Sequence, residues 1–381
     1  MIPFQFHTFW RLLRTPGPME AASWKGRLHR WRFFLFFPLF QVVNAGMLSL
    51  DYLLFPFRKQ AVPKPLFIVS SPRSGSTVLH RAMLKDQDRF TSLALWQSIF
   101  PSLATQVPVR WVGALDQKLG GRLAKMSEAL QDRFFRNSDR YHRIRLEEVE
   151  EDEVIFLHAC ASELLGNAFP IPEIWKEYRH FDQLPDPQRR ALMDHYYACV
   201  QRHMRLQGKG RRFVSKNPPF CHKIHSLRQS FPDAGFIMLV RHPAESVCSL
   251  LSMLDSFRSS VGLKAKHWEH PRRDPGALDF SVDCYRHALA ALDQLPPEQV
   301  LILRYEELVR SPKAVLQQIY DKFGMEVGPT YAAELERMQK AAEGYQSRHH
   351  YSPEQFGLTA SEIRAMIPEI YERFGYGVEP G

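Results

Sequence analysis

Residues that can hold an anion crowd into one short turn that follows the apolar run 66–69. The turn contains Arg73, Ser74, Gly75, Ser76 and Thr77, and helix-forming residues come after it. A strand, a tight turn and a helix in this order point several backbone N–H groups, and the positive end of a helix dipole, at one spot. Glycine lets the backbone approach a ligand closely, and arginine adds a fixed positive charge. The pattern therefore predicts an anion site, most often one for a phosphate.

The turn differs from the loop that binds ATP in nucleotide triphosphatases, which reads Gly-x-x-x-x-Gly-Lys-Ser/Thr. When Gly75 is aligned with the second glycine of that motif, Ser70 stands in place of the first and Ser76 replaces the lysine. Such a loop still suits a 5′-phosphate, but it lacks the lysine that reaches a γ-phosphate. This difference disfavours an ATP-dependent kinase.

An arginine and a serine form a second candidate phosphate site. The apolar run 235–240 predicts a buried strand that ends at Arg241, and Pro243 suits the first turn of a helix that we expect to continue to about Leu254. An arginine and a hydroxyl can converge on one phosphate when a helix folds back beside its strand. Arg241 and Ser249 are therefore able to share a phosphate. Taken alone, each has a plainer interpretation as a surface arginine or a helical serine.

Together, Pro-Arg-Ser-Gly-Ser-Thr at 72–77 and the Arg241/Ser249 pair resemble the motifs of sulfotransferases that use 3′-phosphoadenosine 5′-phosphosulfate (PAPS), of the broad bacterial type. The resemblance extends from about residue 64 to the C terminus. It implies that residues 73–77 bind the 5′-phosphosulfate and that Arg241 and Ser249 bind the 3′-phosphate. It also implies that PAPS is a co-substrate, that no metal is required, and that a sulfuryl group is transferred to an acceptor hydroxyl.

A lysine ends a third predicted strand, 212–216. In cytosolic sulfotransferases the matching strand ends in Lys-Thr-His, where the lysine contacts the bridging oxygen and the histidine acts as base. The resemblance therefore implies that Lys216, together with Arg73, stabilises charge during transfer. Pro218 stands where the histidine would be, and the stretch 91–95 lacks the carboxylate that tyrosylprotein sulfotransferases place after their first helix. The general base must come from elsewhere.

An acidic run at 147–153 supplies the best candidates for the base. Many sulfotransferases of the bacterial type carry a similar run ahead of an apolar helix. Clustered carboxylates raise one another's pKa, so that one of them can accept a proton near neutral pH. We provisionally assign this role to Glu153, with Glu151 next and His158 and His222 as further alternatives. The competing interpretation is an exposed acidic first turn that complements a helix dipole.

The resemblance assigns two more residues to the nucleotide. Tyr305 follows the predicted strand 300–304 and is expected to pack near the adenine. Arg348 precedes a closing helix predicted from about 353 to 374, at the place where relatives cover the 3′-phosphate with a basic loop. The basic stretch 264–273 is expected to be a lid over the donor or else a surface loop.

The order of elements predicts an α/β fold. Helical segments alternate with strands, which favours a parallel β-sheet with helices on both faces. The resemblance implies a P-loop-like sulfotransferase fold, with residues 64–381 as the catalytic domain, a helical acceptor-side insertion of about 95–210, and residues 1–63 as a separate N-terminal arm. The predicted strands are 66–70, 212–216, 235–240 and 300–304.

The N-terminal arm is basic and contains the most apolar run of the chain. Residues 1–64 hold nine basic and two acidic residues, which is most of the net charge of +9. The run 33–50 has no charge and is just long enough to span a bilayer. Three polar residues lie within the run or directly after it, and they fall on one side of a helix: Gln41, Asn44 and Asp51. We expect the arm to lie on a membrane surface, with packing on the core or a partner as the second interpretation and a true span as the third.

Composition limits the remaining possibilities. The five cysteines are odd in number, lack a Cys-x-x-Cys motif and predict free thiols, and no Asn-x-Ser/Thr site occurs. We therefore expect a cytoplasmic enzyme, peripheral on the inner face of a membrane.

Because most excess charge is confined to the arm, nucleic acid is a poor partner. Adjacent His349 and His350 lack metal spacing. An aromatic-rich middle favours an apolar or lipid-like acceptor, while an ATP-dependent kinase and an inactive nucleotide-binding protein remain the alternatives, and the oligomeric state is open.

Overall fold

The computed structural model describes residues 2–15, 24–135, 145–169, 172–260, 275–344 and 352–378. The chain divides into two compact units, which we call the helical unit (1–63 and 92–213) and the sheet unit (64–91 and 214–381). The predicted arm of residues 1–63 thus shares a unit with the whole of the predicted insertion. The predicted domain boundary after residue 63 stays a prediction.

The sheet has five strands: β1 (Leu66–Ile68), β2 (Phe90–Thr91), β3 (Arg212–Lys216), β4 (Gly235–Val240) and β5 (Val300–Arg304). They lie in the order β2-β3-β1-β4-β5. β1 pairs in parallel with β3 and β4, and β4 pairs in parallel with β5. Every residue of β1 and β4 is buried, as expected for a parallel sheet that helices cover on both faces. The predicted α/β fold with a parallel sheet is confirmed.

The carboxyl ends of the parallel strands meet at one edge of the sheet. Ile68 at the end of β1 pairs with Lys216 at the end of β3. Val240 at the end of β4 pairs with Arg304 at the end of β5. Ligands of open parallel sheets bind outside this edge. The residues predicted to hold the nucleotide follow these four strand ends.

The first strand ends at Ile68, earlier than the predicted residue 70. Side-chain hydroxyls provide the hydrogen bonds beyond that point. Ser70 Oγ accepts a hydrogen bond from the backbone N–H of Leu239 at 2.8 Å, and the hydroxyls of Ser71 and Ser281 lie 3.2 Å apart. These bonds anchor the start of the anion-binding turn to the sheet unit. β2 was not predicted, because a two-residue strand has no readable periodicity.

Nine α-helices of the described chain belong to the sheet unit. They are α3 (Ser76–Met83), α11 (Ile224–Ser230), α12 (Pro243–Ser260), α13 (Pro275–Leu292), α14 (Tyr305–Arg310), α15 (Pro312–Lys322), α16 (Pro329–Glu343), α17 (Ala360–Met366) and α18 (Pro368–Phe374), with a 3₁₀ turn at Pro353–Phe356. The sheet and helices α3, α15 and α16 enclose a core that includes Leu66, Ile68, Leu79, Ile237, Leu239, Leu303, Leu316, Ile319 and Leu335.

Two helix boundaries differ from the predictions. The single closing helix predicted over about 353–374 is wrong, since the segment forms the 3₁₀ turn, α17 and α18 in succession. Gly357 has a left-handed backbone (φ 66°) that ends the turn, and Pro368 starts α18 because its ring cannot continue the preceding helix. α12 continues to Ser260 instead of ending near residue 254.

The helical unit is built around long helices. Its helices are α1 (Phe6–Arg14), α2 (Trp24–Leu54), α4 (Leu95–Ile99), α5 (Leu103–Lys118), α6 (Arg122–Phe135), α7 (Val154–His158), α8 (Leu165–Ala168), α9 (Pro172–Arg179) and α10 (Asp186–Gln207). The prediction that residues of about 95–210 are mostly helical is confirmed for the described residues of that stretch.

The polar side of α2 faces the interior of the helical unit. Gln41, Asn44 and Asp51 are buried, while Leu39, Val42 and many other apolar side chains of α2 are exposed. Asn44 Nδ2 donates a hydrogen bond to the backbone carbonyl of Ile99 at 3.3 Å. Residues 30–54 are long and apolar enough to cross a membrane, and among the described helices no other meets that test.

A buried ion pair holds the C-terminal end of α2 in place. Arg202 Nε lies 2.6 Å from Asp51 Oδ2, and the same carboxylate accepts hydrogen bonds from the N–H groups of Leu103 and Ala104 at the start of α5. The Arg202 guanidinium carbon lies 3.8 Å from the ring centroid of Phe57. Removing one partner of such a pair costs about 3–5 kcal/mol. This half of α2 is therefore an integral part of the helical unit.

Candidate active site

The anion-binding turn has an unusual backbone. Arg73 and Gly75 both have left-handed dihedral angles, with φ of 64° and 91°. Left-handed backbone costs a residue with a side chain about 1–2 kcal/mol, so Arg73 is held against its preference. α3 starts at Ser76, directly after the turn. The first N–H groups of a helix have no carbonyl partner inside it, and they are the donors that an anion at this end would use.

Gly75 is required by space as well as by conformation. A Cβ atom at this position would lie 2.4 Å from Cδ2 and 2.6 Å from Cε2 of Tyr305. The ring of Tyr305 therefore packs directly on the backbone of the turn. Tyr305 was predicted to lie near the adenine, and its contact with Gly75 places it beside the loop.

The hydroxyl of Ser74 provides a test of what the turn can hold. Ser74 is fully buried, and its Oγ atom has no hydrogen-bond partner in the structure. A buried polar group without a partner costs about 1–3 kcal/mol. A phosphate or sulfate oxygen in the turn would accept the missing bond. The residues present therefore fit an anionic ligand.

The second predicted phosphate site lies next to the first. Arg73 Nε donates a hydrogen bond to Ser249 Oγ at 3.1 Å, and Arg241 Nη1 donates one to the backbone carbonyl of Arg73 at 3.2 Å. The guanidinium carbon of Arg241 is 4.4 Å from the ring centroid of Tyr305. Four residues predicted from three separate stretches thus form one cluster, which we call the arginine cluster (Arg73, Arg241, Ser249 and Tyr305). Their roles in binding stay predictions.

Residues that sequence reasoning missed hold Arg241 in position. Glu245 Oε2 lies 2.7 Å from Arg241 Nε and accepts its hydrogen bond. The hydroxyl of Tyr285 donates to the backbone carbonyl of Arg241 at 2.9 Å and is also bonded to Ser246. Burial raises the pKa of Tyr285 and keeps this hydroxyl protonated. Glu245 could have been found from the sequence, because it lies in the first turn of α12, four residues after Arg241. No local feature of the sequence indicates Tyr285.

Lys216 is buried at the end of β3, and its positive charge acts on a histidine of α3, the helix that follows the turn. His80 of α3 is buried, and this burial, followed by the nearby positive charge of Lys216, lowers the pKa of His80 to about 3. His80 is therefore neutral at physiological pH. Its Nε2 atom has no hydrogen-bond partner in the structure. Sequence reasoning missed His80, since a histidine within a helix carries no local signal of function.

The sequence model of the sulfotransferase family matches residues 65–329, well over half of the chain. The chain belongs to the sulfotransferase family. The protein is accordingly an enzyme that transfers a sulfuryl group to an acceptor hydroxyl, as the resemblance implied. The matched range includes the turn, Lys216 and the arginine cluster.

This sulfotransferase has named relatives in mycobacteria. It is 25% identical over 359 residues to an omega-hydroxy-beta-dihydromenaquinone-9 sulfotransferase, Stf3, of Mycobacterium bovis (strain ATCC BAA-935 / AF2122/97), which covers 91% of this chain and 85% of the relative. The Stf3 protein of Mycobacterium tuberculosis (strain CDC 1551 / Oshkosh) matches to the same extent.

Solved structures confirm the fold of this sulfotransferase. Sulfotransferase STF9 of Mycobacterium avium superposes with a TM-score of 0.73 at 16% identity, over 98% of this chain and 91% of that one. Sulfotransferase STF1 of Mycobacterium tuberculosis H37Rv gives a TM-score of 0.69 at 17% identity, over 96% and 91% of the two chains. The predicted P-loop-like sulfotransferase fold is therefore confirmed.

The provisional base of the sulfotransferase, Glu153, lies in the helical unit. Glu153 is fully buried and directly precedes α7. Its neighbour Asp152 is also buried and accepts a hydrogen bond from the Tyr196 hydroxyl at 2.6 Å. An exposed acidic turn does not describe these two carboxylates, because both are inside the protein. The assignment of Glu153 as base stays a prediction.

The two histidines named as alternative bases, His158 and His222, are buried and packed against other side chains. Both ring nitrogens of His158 are engaged, Nδ1 with the side chain of Gln41 at 3.1 Å and Nε2 with the carbonyl of Ser98 at 2.9 Å. Burial lowers the pKa of His158 to about 4. The ring of His222 is buried against His287, with centroids 5.0 Å apart. Neither arrangement favours a role in proton transfer.

Two predictions fall outside the described residues. Arg348 and the stretch 264–273 both lie there, so nothing is concluded about a basic loop over the 3′-phosphate or about a lid. Within the described ranges, no group of three or more metal-ligating side chains is close enough to hold a metal ion.

Proposed function

We propose that this sulfotransferase takes the sulfuryl group from PAPS and transfers it to the hydroxyl of a lipid-like alcohol. The observation that carries the donor assignment is the arginine cluster next to the turn. One anion site with a second phosphate-binding pair beside it matches a nucleotide that has phosphate groups at both its 5′ and 3′ positions. ATP has no 3′-phosphate for the second site to bind.

The residues of the turn would bind the 5′-phosphosulfate. Backbone N–H groups of the turn and the buried hydroxyl of Ser74 would donate to an anion there, although the N–H of Ser74 itself already donates to the carbonyl of Ser71 at 3.3 Å. Arg241 and Ser249 would bind the 3′-phosphate, with Glu245 and Tyr285 holding Arg241 in place. In the structure, Ser249 accepts a hydrogen bond from Arg73, which leaves its own proton available to a phosphate oxygen.

Catalysis depends mainly on charge stabilisation. In sulfuryl transfer the acceptor oxygen forms a bond to sulfur while the bond between sulfur and the bridging phosphate oxygen breaks, in close analogy to phosphoryl transfer. Negative charge grows on the bridging oxygen, which leaves with 3′-phosphoadenosine 5′-phosphate (PAP). Lys216, assisted by Arg73, would stabilise that charge. A carboxylate, provisionally Glu153, would accept the proton of the acceptor hydroxyl.

Glu153→Gln is expected to lower the turnover rate by roughly 10²- to 10⁴-fold, because glutamine keeps the shape of the side chain but cannot accept the proton. PAP affinity should stay unchanged. Glu151→Gln, at a partly exposed neighbour in the same acidic run, is the matched control and should keep most of the activity. An unchanged rate in Glu153→Gln would assign the base to another residue.

The proposed acceptor class rests on two observations. The mycobacterial relatives of this chain are named for action on a menaquinone derivative with a terminal hydroxyl. The helical unit, which contains the insertion that varies in this family, exposes many apolar side chains. Both favour an alcohol carried on an apolar chain.

We also propose that residues 1–60 contact a membrane surface on its cytoplasmic side. The outward face of α2 carries Leu35, Leu39, Val42, Leu50 and Leu53, all exposed. The inward polar side is locked by the Asp51–Arg202 pair. This arrangement supports a helix that lies on a bilayer, because a span would have to withdraw the buried polar side chains from their partners.

Calorimetric titration of the purified full-length protein with PAP and with ATP tests the donor assignment. We expect heat with PAP and little with ATP, and magnesium-dependent binding of ATP would instead support a kinase. Transfer of labelled sulfate from PAPS to a panel of hydroxyl compounds, from phenols to polyprenyl alcohols, tests catalysis. PAP binding without transfer to any of them would support the inactive alternative.

Ser249→Ala should weaken PAP binding by about 10- to 100-fold, the usual loss for a hydrogen bond to a charged group. Binding of adenosine 5′-phosphosulfate, which has no 3′-phosphate, should not change. Ser256→Ala, at a half-buried serine further along the same helix, serves as the control. Equal losses for both nucleotides would mean that Ser249 does not bind the 3′-phosphate.

A further inference from the structure

The hairpin formed by α5 and α6 has its apolar side on the outside. Trp111, Leu115 and Leu119 are spaced by four residues and therefore form one stripe along α5 and its C-terminal end. Their exposed fractions are 76%, 58% and 69%. The opposite side of α5 carries the buried polar residues Gln106 and Asp116. A surface helix of a water-soluble protein has the reverse arrangement.

The second helix of the hairpin continues the apolar stripe. Leu123, Met126 and Leu130 are spaced by three and four residues, and each is about half exposed. They too fall on one side of their helix. The two helices pack against each other and are joined by a short turn, so the two stripes lie on neighbouring helices. Exposed apolar side chains gathered in this way mark an interaction site.

The hairpin is held firmly, so its exposed surface is not the result of a frayed end. Gly120 and Gly121 form the connecting turn with left-handed φ of 93° and 67°. The Asp116 carboxylate accepts hydrogen bonds from the N–H groups of Leu123 and Ala124 and caps α6. These bonds lower the pKa of Asp116, which keeps the cap charged.

Between residues 109 and 126 the exposed charged side chains have one sign, and they are Arg110, Lys118, Arg122 and Lys125. Further along α6, Glu128 and Asp132 are exposed acids. The only acid between residues 109 and 126 is the buried cap Asp116. An apolar stripe with a tryptophan and a basic border is complementary to an anionic bilayer, where apolar side chains enter the acyl region and basic ones meet the headgroups.

The distribution of exposed apolar side chains sets the hairpin and α2 apart. Within the described residues, the sheet unit exposes a single large apolar side chain, Val78. The helical unit exposes more than twenty, and nearly all of them lie on α1, α2, α5, α6 and the turn between the last two. α2 packs against α5. The apolar surface is thus confined to neighbouring elements of one unit.

We propose that the α5–α6 hairpin is a second membrane-docking element, which binds the surface of an anionic bilayer alongside α2. The proposal extends the membrane contact proposed for residues 1–60 and is independent of the chemistry at the nucleotide site. The side chains that would enter the bilayer surface are those of Trp111, Leu115, Leu119, Leu123 and Met126.

Flotation of the full-length protein with vesicles tests the apolar part of the proposal. We expect the double variant Leu115→Ser/Leu119→Ser to lower partition onto phosphatidylcholine–phosphatidylglycerol vesicles at least about tenfold. Ala114→Ser/Gln117→Ser changes exposed positions on another side of the same helix and should bind like wild type. If Leu115→Ser/Leu119→Ser also binds like wild type, while Leu39→Ser/Val42→Ser on α2 loses binding, the hairpin proposal is wrong and the proposal for residues 1–60 survives.

Charge reversal tests the anionic part. Lys118→Glu/Lys125→Glu should reduce partition onto the same vesicles by about twentyfold or more, since each basic residue at an anionic surface is worth about a fivefold change. Lys209→Glu/Lys340→Glu makes the same change in net charge at exposed sites outside the hairpin and should have a much smaller effect. PAP binding by all five double variants shows that they are folded.

A second copy of the chain is the competing occupant of the surface. Sedimentation analysis without lipid should give monomers for wild type and for Leu115→Ser/Leu119→Ser alike. A wild-type dimer that this variant dissociates, together with no binding to the phosphatidylcholine–phosphatidylglycerol vesicles, would overturn the proposal in favour of a protein–protein interface.

Discussion

Replacing Lys216 with alanine is expected to lower the rate of sulfuryl transfer by about 100- to 1000-fold, while PAP affinity stays within a few-fold of wild type. The lysine is buried at the edge where the parallel strands end, close enough to α3 for its charge to act on His80. Its charge matters most when the bridging oxygen becomes negative, which happens only in the transition state. Single-turnover transfer from labelled PAPS measures the rate, and calorimetry with PAP measures the affinity.

Two methionine variants separate this role from simple packing. Lys216→Met keeps most of the aliphatic stem and should be as inactive as the alanine variant. Lys223→Met removes another buried lysine of the sheet unit, whose Nζ atom donates to the carbonyl of Pro219 at 3.4 Å, and should retain its turnover rate. Full activity in Lys216→Met would exclude the lysine from the mechanism.

Gly75→Ala is expected to raise the dissociation constant for PAP by about 100-fold and to lower the free energy of unfolding by about 3 kcal/mol. The new Cβ atom would lie 2.4 Å from the ring of Tyr305 on a backbone with φ of 91°. The ring or the turn must move, and either movement displaces the N–H groups that would bind the 5′-phosphosulfate. Chemical denaturation and PAP titration measure the two effects.

Gly324→Ala provides the control for backbone strain alone. Gly324 also has a left-handed backbone, with φ of 62°, but no atom lies within 4 Å of the position of a Cβ. This variant should lose about 1 kcal/mol of stability and no PAP affinity. If Gly75→Ala binds PAP as well as Gly324→Ala does, the turn is not the nucleotide site.

The turn and the strand ends were predictable because their evidence is local. Five consecutive residues, 73–77, stand between an apolar strand and a helix, and that order alone directs N–H groups at one point. The strands 212–216, 235–240 and 300–304 have the predicted bounds, since apolar runs mark the second and third and the prolines at 218 and 219 stop the first. Parallel pairing then brings Lys216, Arg241 and Tyr305 to one edge.

Side chains that support the site were not predictable, because their partners are far away in the sequence. Tyr285 holds the carbonyl of Arg241, 44 residues away in the sequence. Tyr305 was expected near the adenine, yet its packing on Gly75 depends on how β5 lies beside β4. His80 gains its neutral state from burial and from Lys216, neither of which its neighbours in α3 reveal.

Helix α2 shows most clearly what the sequence determines by itself and what only tertiary packing decides. Spacing along the chain was enough to show that Gln41, Asn44 and Asp51 share one side of a helix, since that follows from the helical period. It did not show whether this side faces water, lipid or protein. Arg202, His158 and Ile99 supply the answer, because their partners on α2 are met only after α4, α7 and α10 have folded against it. Burial of a polar side forces the apolar side outward, and no local pattern contains that choice.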